Sequence, residues 1–323
     1  MVLSVYRQKA KEQLKNANAP KKTILIHACI AQGSALLIAL IGYLFHWMIA
    51  QTGGLSGVST RTILSTAQTM LETAVMMALP FWQIGIFYVA LRWARGQYAN
   101  SSDLLQGFRH FRSVLGLQIL YTLIFMLLGT GLFYISSTLF LLTPFSQNYM
   151  DALSPLMDPA ATTEQIEALL SMENLAVLAR DMVPLFIIFG IIFLVIGIPL
   201  FYRLRLSEFA VMDGLGARKS LRCSLQATKG KWKMLLKLDL FFWWYYLLQG
   251  LCFVIANGNW LLPRLGIQLP LGADAAYFLF FSLGTALQIL VLWQFQDQVI
   301  TSYAMLYDTL TQPQTAPVLE QAQ

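Results

Sequence analysis

The chain has 323 residues, of which 57% are hydrophobic and only 12% are charged, about half the charged share of a typical soluble domain. This balance predicts a bundle of membrane helices and leaves no room for a separate large soluble domain. The net charge of +6 does not indicate nucleic-acid binding, because the basic residues lie directly beside apolar stretches, where they meet anionic headgroups.

Apolar stretches of sufficient length predict six transmembrane helices. Their approximate bounds are 24–50, 73–93, 113–142, 183–202, 235–256 and 276–299. A Gly/Ser/Thr-rich loop is expected to run from the first helix to about Ser65, and Pro80 predicts a kink in the second helix. The predicted fold class is therefore all-α and integral to the membrane, with one six-span domain over residues 1–310 and a disordered tail over residues 311–323.

The basic residues are sorted by the interval in which they fall. Of the 22 Lys and Arg residues, six precede the first helix, four lie from the last turn of the second helix to the start of the third, and nine lie from the end of the fourth helix to the first turn of the fifth. The remaining intervals hold only Arg61, Arg180 and Arg264. Because basic loops are retained on the cytoplasmic side, this pattern predicts a multi-pass protein of the plasma membrane with both termini in the cytoplasm.

Each basic interval also carries an amphipathic helical pattern. The apolar stripes are Leu3, Tyr6, Ala10 and Leu14; Leu104, Phe108, Phe111 and Leu115; and Ala217, Leu221, Leu225 and Thr228. Ser102 is expected to cap the second helix and Gly230 to end the third. Two interpretations stay open: three repeated units of an amphipathic helix plus a transmembrane hairpin, or a general tendency of loops between spans to be basic and amphipathic.

Cations flank two of these stripes and are the predicted contacts to lipid or to a protein partner: Arg109, Arg112, Arg218, Lys219 and Arg222. The expected lipids are those with anionic headgroups in the inner leaflet, and each cation contributes about 1 kcal/mol there. In the acidic interval 143–182, a further stripe from Ile166 to Leu178 predicts a short external helix. The small residues Ala35 and Ala39 offer a surface for close helix packing, within the chain or between copies.

A second group of ionisable residues lies at one depth, where the fourth, fifth and sixth spans meet the cytoplasm: Arg203, Arg205, Lys237, Asp239 and Asp297. Charges inside a membrane are costly and often mark functional sites, so a ligand or ion site open to the cytoplasm fits this pattern. A satisfied ion-pair network, with lysines extended toward the headgroups, also fits, and we favour it. The run of six aromatic residues from Phe241 to Tyr246 predicts an interfacial aromatic belt.

Motifs for catalysis and for metal or cofactor binding are missing from the sequence. Cys29, Cys223 and Cys252 are scattered without a CxxC pair, a spacing that predicts neither a disulfide framework nor a zinc site. The Gly54-Leu55-Ser56-Gly57 segment matches the GxSG of intramembrane serine proteases, but His27, His46 and His110 are not placed to act as its base. We therefore expect a protein that is not an enzyme and binds no cofactor.

Two segments carry a resemblance to a known family. They are Ser102-Asp103-Leu104-Leu105-Gln106-Gly107-Phe108, and the stretch with Phe209-Ala210-Val211-Met212-Asp213, Ala217-Arg218-Lys219-Ser220-Leu221, Thr228-Lys229-Gly230 and Leu238-Asp239-Leu240. The chain resembles an uncharacterised bacterial multi-pass membrane family, the domain of unknown function nine-seventy-five. That family is distantly similar to the membrane domain of some glycerophosphodiester phosphodiesterases. The resemblance implies a bacterial plasma-membrane protein and no catalytic residues.

Two functions fit these observations. The first is a non-enzymatic membrane protein whose basic amphipathic helices engage anionic lipid or a membrane partner. The alternative is a transporter or channel for a small or amphipathic solute, with Asp239 and Asp297 near a cytoplasmic vestibule.

Overall fold

The computed structural model describes residues 4–17, 20–51, 55–157, 177, 179–264, 266–267 and 272–311. Within these ranges the chain is helical apart from short turns and contains no strand, which confirms the all-α prediction. Five of the described helices are long and apolar enough to cross a membrane, or six if one bent pair forms a single span. By length and composition they are compatible with a multi-pass membrane protein.

The helices follow one another with short connections. In chain order they are α1 (Ser4–Asn16), α2 (Pro20–Gln51), α3 (Leu55–Ala94), a 3-10 helix (Ser101–Leu105), α4 (Gln106–Arg109), α5 (Phe111–Leu141), α6 (Pro144–Met157), α7 (Val183–Ile192), a π-helical turn (Phe193–Gly197), α8 (Ile198–Leu204), α9 (Ser207–Met212), α10 (Ala217–Ala227), α11 (Trp232–Phe241), α12 (Trp243–Ala256), α13 (Gly258–Arg264) and α14 (Ala273–Thr311). The predicted external helix lies outside the described residues, except for Val177. The predicted tail over residues 311–323 also lies outside them, except for Thr311.

The predicted loop as far as Ser65 is wrong, because α3 begins at Leu55. Its polar first half is tolerated in a helix since the hydroxyl groups bond back to carbonyls of the preceding turn. Thr66 Oγ1 donates to the Thr62 carbonyl at 2.7 Å, and Thr73 Oγ1 donates to the Thr69 carbonyl at 2.7 Å. The helix continues through Pro80 to Ala94.

The fifth predicted span is not one straight helix. It consists of α11 and α12, which meet at Phe242 and differ in direction by 67°. The fourth predicted span is interrupted as well, by the π-helical turn between α7 and α8. Broken and π-bulged helices are frequent at functional sites in membrane proteins. Neither interruption is visible in the hydropathy pattern, which records only that the residues are apolar.

The chain divides into two compact units, Met1–Leu117 with Leu206–Gln323, and Gln118–Arg205; the single domain over 1–310 stays a prediction. In the first unit, α14 is the central element and contacts α1, α2, α3, α10, α12 and α13. The second unit contains most of α5 together with α6, α7 and α8. There, the Tyr121 hydroxyl donates to the Leu204 carbonyl at 2.9 Å and joins α5 to α8.

Two glycines allow α3 to touch the segment that follows it. A Cβ atom on Gly85 would lie 1.8 Å from the Leu104 carbonyl oxygen, and one on Gly107 would lie 1.8 Å from the Phe81 carbonyl oxygen. No side chain fits at either position. The 3-10 helix and α4 therefore pack backbone to backbone on α3, with Leu104 fully buried.

The predicted cap at Ser102 is wrong, because Asn100 is the N-cap residue of the 3-10 helix. The Asn100 backbone N–H donates to the Asp103 carboxylate at 2.9 Å. Arg92 Nη1 donates to the same carboxylate at 3.1 Å and connects the cap to the end of α3. The predicted third basic helix is confirmed as α10, and Gly230 follows it in a turn with a φ of +70°.

Candidate functional site

Polar side chains of the first unit gather near the start of α2, the end of α3 and the last third of α14. We call this group the polar layer; it comprises Lys21, Arg95, Asp213, Asp239, Asp297, Tyr303, Tyr307 and Asp308. Three sets of contacts make up the layer. Each set joins α14 to a different part of the chain.

Arg95 forms the most extensive set. Its Nε and Nη2 atoms donate to the two carboxylate oxygens of Asp308 at 3.1 and 2.7 Å, and Nη1 donates to Asp213 Oδ1 at 2.7 Å. These contacts, first of all the hydrogen bonds to Asp308, raise the pKa of the Arg95 guanidinium above its usual value. The Tyr307 hydroxyl donates to the other oxygen of Asp213 at 3.3 Å. One arginine thus joins the end of α3, the end of α9 and α14.

Lys21 and Asp297 form the second set. The Lys21 ammonium lies 3.0 Å from Asp297 Oδ2 and also donates to the backbone carbonyls of Trp293 and Gln294 at 3.1 and 2.7 Å. The Asp297 side chain is 4% exposed and that of Lys21 is 41% exposed. The buried carboxylate is therefore paired with a cation that still reaches solvent.

Asp239 forms the third set, at the break between α11 and α12. Its carboxylate accepts hydrogen bonds from the hydroxyls of Tyr246 on α12 and Tyr303 on α14. The Tyr303 hydroxyl also lies 3.4 Å from the Leu235 carbonyl. These contacts tie both halves of the broken helix to α14 through one acidic side chain.

The structure gives different partners to residues that the sequence predicted to form one cluster. Asp239 and Asp297 have different partners, and Asp297 and Tyr303 are six residues or about 9 Å apart along α14. Lys237 is exposed on α11. Arg203 and Arg205 belong to the second unit, where the Arg205 guanidinium lies 5.9 Å from the centre of the Tyr202 ring. Asp297 forms an ion pair, as the favoured interpretation expects, whereas Asp239 accepts hydrogen bonds from tyrosine hydroxyls.

The sequence analysis missed six members of the layer, all of which depend on tertiary contact: Lys21, Arg95, Asp213, Tyr303, Tyr307 and Asp308. Lys21 and Arg95 were counted only as parts of the basic intervals. Their sole signal was a position at the end of an apolar helix, which any residue near a headgroup shares. Asp213 and Asp308 lie outside the predicted spans; Asp213 was noted only within the family resemblance, and neither residue had a local signal for an ion pair.

The predicted lipid contacts lie on the surface of the first unit. Arg218, Lys219 and Arg222 are exposed on α10, and Arg109 and Arg112 are exposed at the junction of α4 and α5. The two groups belong to neighbouring helices, because a Cβ on Gly116 of α5 would lie 3.1 Å from the Ala217 Cβ of α10. Arg112 is one turn before Gly116, on the same face of α5.

The aromatic run after Lys237 is split by the break. Trp243 and Trp244 stack at 4.3 Å and are 51% and 53% exposed, whereas Phe242 and Tyr245 are buried. Among the described residues, no group of three His, Cys, Asp or Glu side chains is arranged to hold a metal ion. The contacts that form the polar layer are ion pairs and hydrogen bonds.

Comparisons with models of protein families, with curated proteins and with solved structures found no match to this chain. The resemblance to the uncharacterised bacterial family therefore stays a prediction from the residues that carry it.

Proposed function

We propose that the chain is a non-enzymatic, six-span protein of a bacterial plasma membrane, with both termini in the cytoplasm. Its basic helices engage the anionic headgroups of the inner leaflet. The broken pair α11 and α12 counts as one span in this proposal. The observation that carries the lipid contact is that α10 has one buried face and one exposed, basic face.

One face of α10 is fixed to the protein and the other presents cations. Ser220 and Ser224 are fully buried and Leu221 is 7% exposed. Arg218 and Arg222, one turn apart, are exposed. Because the buried face holds the helix in place, its cations meet a surface without the entropy cost of ordering a free segment.

The electrostatics of this helix favour an anion. Arg218 and Lys219 lie in its first turn, where the helix dipole is positive, and the N-cap residue Gly216 provides no side-chain cap. Two cationic side chains at such an end repel the dipole unless a negative group is nearby. A lipid phosphate at this end would offset the repulsion between the helix dipole and both cationic side chains.

The apolar stripes of α1 and α10 do not insert into the membrane in this proposal. Tyr6, Ala10 and Leu14 of α1 are 6%, 0% and 8% exposed, because they pack within the first unit. A stripe covered by protein has no apolar area to bury in lipid. Contact with the headgroups is therefore electrostatic and should weaken with salt.

The test compares lipid binding by the purified full-length protein and a variant with Arg218→Gln, Lys219→Gln and Arg222→Gln. Native mass spectrometry counts phosphatidylglycerol and phosphatidylcholine retained after delipidation. At about 1 kcal/mol per cation, the variant should bind phosphatidylglycerol at least about tenfold more weakly. Arg180→Gln removes an exposed arginine elsewhere and should leave binding unchanged.

Equal retention of phosphatidylglycerol by the wild type and the triple variant would refute the lipid proposal. If the wild type instead retains both lipids equally but co-purifies a membrane protein that the triple variant loses, the cations contact a protein partner. That result also refutes the lipid proposal.

A transporter or channel for a small or amphipathic solute is the second candidate, and the 67° break at Phe242 favours it. Discontinuous membrane helices often surround transport sites, and Asp239 lies one turn before this break. Efflux of ethidium from proteoliposomes tests the idea, with Asp239→Asn as the variant. Efflux equal to that of protein-free liposomes would exclude transport of this solute.

A further inference from the structure

A cavity of about 440 Å³ lies between α2, α3 and α14, far from the polar layer. Tyr43, at its rim, is 22 residues beyond Lys21 on α2, which corresponds to about 33 Å of helix. Asp274, on α14, precedes Asp297 by a similar length. The cavity therefore lies at the opposite end of the first unit, and its volume is within the range of about 300–1,000 Å³ found for ligand pockets.

Small residues on α2 leave this space open. Ala35 and Ala39, which offered a close-packing surface, line the cavity together with Gly42. A Cβ on Gly42 would lie 2.9 Å from Gln68 Nε2, so the glycine admits the amide of the facing helix. The Gln68 amide thus fills the space beside Gly42, whereas the space beside Ala35 and Ala39 stays open.

The lining changes character along the cavity. Gln68, Glu72 and Met76 follow one another at four-residue spacing on α3, so one helical face runs from polar to apolar. Tyr277 and Phe281 extend α14 inward from Asp274, with Ile38 on α2 opposite. One end of the cavity is therefore acidic and the other is apolar and aromatic.

Both charged residues in this lining are acidic. Glu72 is half-buried and accepts a hydrogen bond from Gln68 Nε2 at 2.9 Å. No Lys or Arg belongs to the lining as far as the described residues form it. A neutral amide offsets less of the Glu72 charge than a cation would. A cationic ligand would stabilise this rim.

We propose that the cavity binds an amphipathic organic cation, which goes beyond contact with anionic lipid at the other end of the protein. The ammonium group lies beside Glu72, where the Tyr43 and Tyr277 rings add cation–π attraction. The apolar group of the ligand occupies the space between Ala35, Ile38 and Phe281. Charge selects the ligand at the rim, and apolar burial supplies further affinity.

Calorimetric titration of the full-length protein in nanodiscs tests the proposal with benzyltrimethylammonium as the probe. Neopentylbenzene is the neutral control, since a carbon replaces the charged nitrogen and the shape is kept. We expect saturable binding of the cation, at least about tenfold tighter than binding of the neutral analogue.

Two variants act on the cavity in different ways. Glu72→Gln keeps the shape of the side chain and should weaken cation binding at least about tenfold, without changing that of the neutral analogue. Ala39→Leu fills the space and should abolish binding of both compounds. Asp151→Asn removes an exposed carboxylate that does not line the cavity and should have no effect.

The proposal is overturned if the wild type shows no saturable binding of the cation. It is also overturned if Glu72→Gln and Ala39→Leu, each monodisperse and as thermally stable as the wild type, bind the cation unchanged. Equal affinity for the cation and its neutral analogue would contradict the role assigned to Glu72.

Discussion

Lys21 donates a hydrogen bond to the carboxylate of Asp297, 276 positions later in the chain. The pair joins the start of α2 to α14, and the same ammonium reaches two backbone carbonyls of α14. It thus fixes the register of these two long helices at one end. The Asp297 carboxylate is almost fully buried, whereas the Lys21 ammonium is partly exposed.

Replacing Lys21 with Met should destabilise the protein, because Asp297 keeps its charge in a buried position without its cation. The expected loss lies between the ~1 kcal/mol of exposed ion pairs and the ~3–5 kcal/mol of broken buried pairs. Equilibrium unfolding in mixed micelles measures it. The neighbouring Lys22 is exposed, so Lys22→Met should change stability by less than about 0.5 kcal/mol. Equal effects of the two variants would contradict a structural role for the Lys21 pair.

Gly85→Ala should disrupt the contact of α3 with the 3-10 helix, because the new Cβ would overlap the Leu104 carbonyl oxygen. Overpacking costs about 1–3 kcal/mol or more. Gly33 in α2 has no atom within 4 Å of a Cβ placed on it. Gly33→Ala should therefore be neutral or stabilising by up to about 1 kcal/mol, the difference in helix propensity. Thermal unfolding of both variants in one detergent provides the comparison, and a stable Gly85→Ala protein would contradict the close approach of the two backbones.

Tyr303→Phe should weaken the connection between the broken helix and α14, because Asp239 loses one of its two hydroxyl donors. Loss of a hydrogen bond to a charged group costs about 1.5–3 kcal/mol. If both tyrosines act on the same carboxylate, the effects of Tyr303→Phe and Tyr246→Phe should not be additive. Tyr134, which is 70% exposed, provides the control substitution Tyr134→Phe. Strict additivity in a double-mutant cycle would show that the two hydroxyls act independently.

Cys223 on α10 should be alkylated slowly near neutral pH. Its burial, and secondly the negative charge of Asp213, raise the pKa of its thiol, so a smaller fraction is thiolate at a given pH. Asp213→Asn removes the charge and should lower this pKa, which increases the rate at pH 8 by up to about tenfold per pKa unit. Alkylation with iodoacetamide, followed by peptide mass spectrometry, distinguishes Cys223 from Cys29 and Cys252. A slower reaction in the variant would contradict the assigned sign.

The amphipathic pattern predicted α1 and α10 correctly as helices but did not predict what covers their apolar faces. Hydrophobic periodicity reports which side of a helix avoids water. Lipid and protein are equally apolar surroundings, so the pattern of Tyr6, Ala10 and Leu14 is the same whether the face inserts into a membrane or packs on a helix. The polar start of α3 shows the opposite error, because residue type alone indicated a loop where back-bonded hydroxyls permit a helix.

Composition and hydropathy along the chain were enough to predict the helical class, the approximate positions of the long apolar helices and the separation of basic from acidic intervals. These properties depend on the composition of contiguous segments, which the chain displays directly. Tertiary structure alone decided the pairing of Lys21 with Asp297, the joining of Arg95 to Asp213 and Asp308, and the cavity beside Glu72. Each of these needs residues far apart in the chain to meet, and their distances follow from how the helices pack against one another rather than from any local pattern.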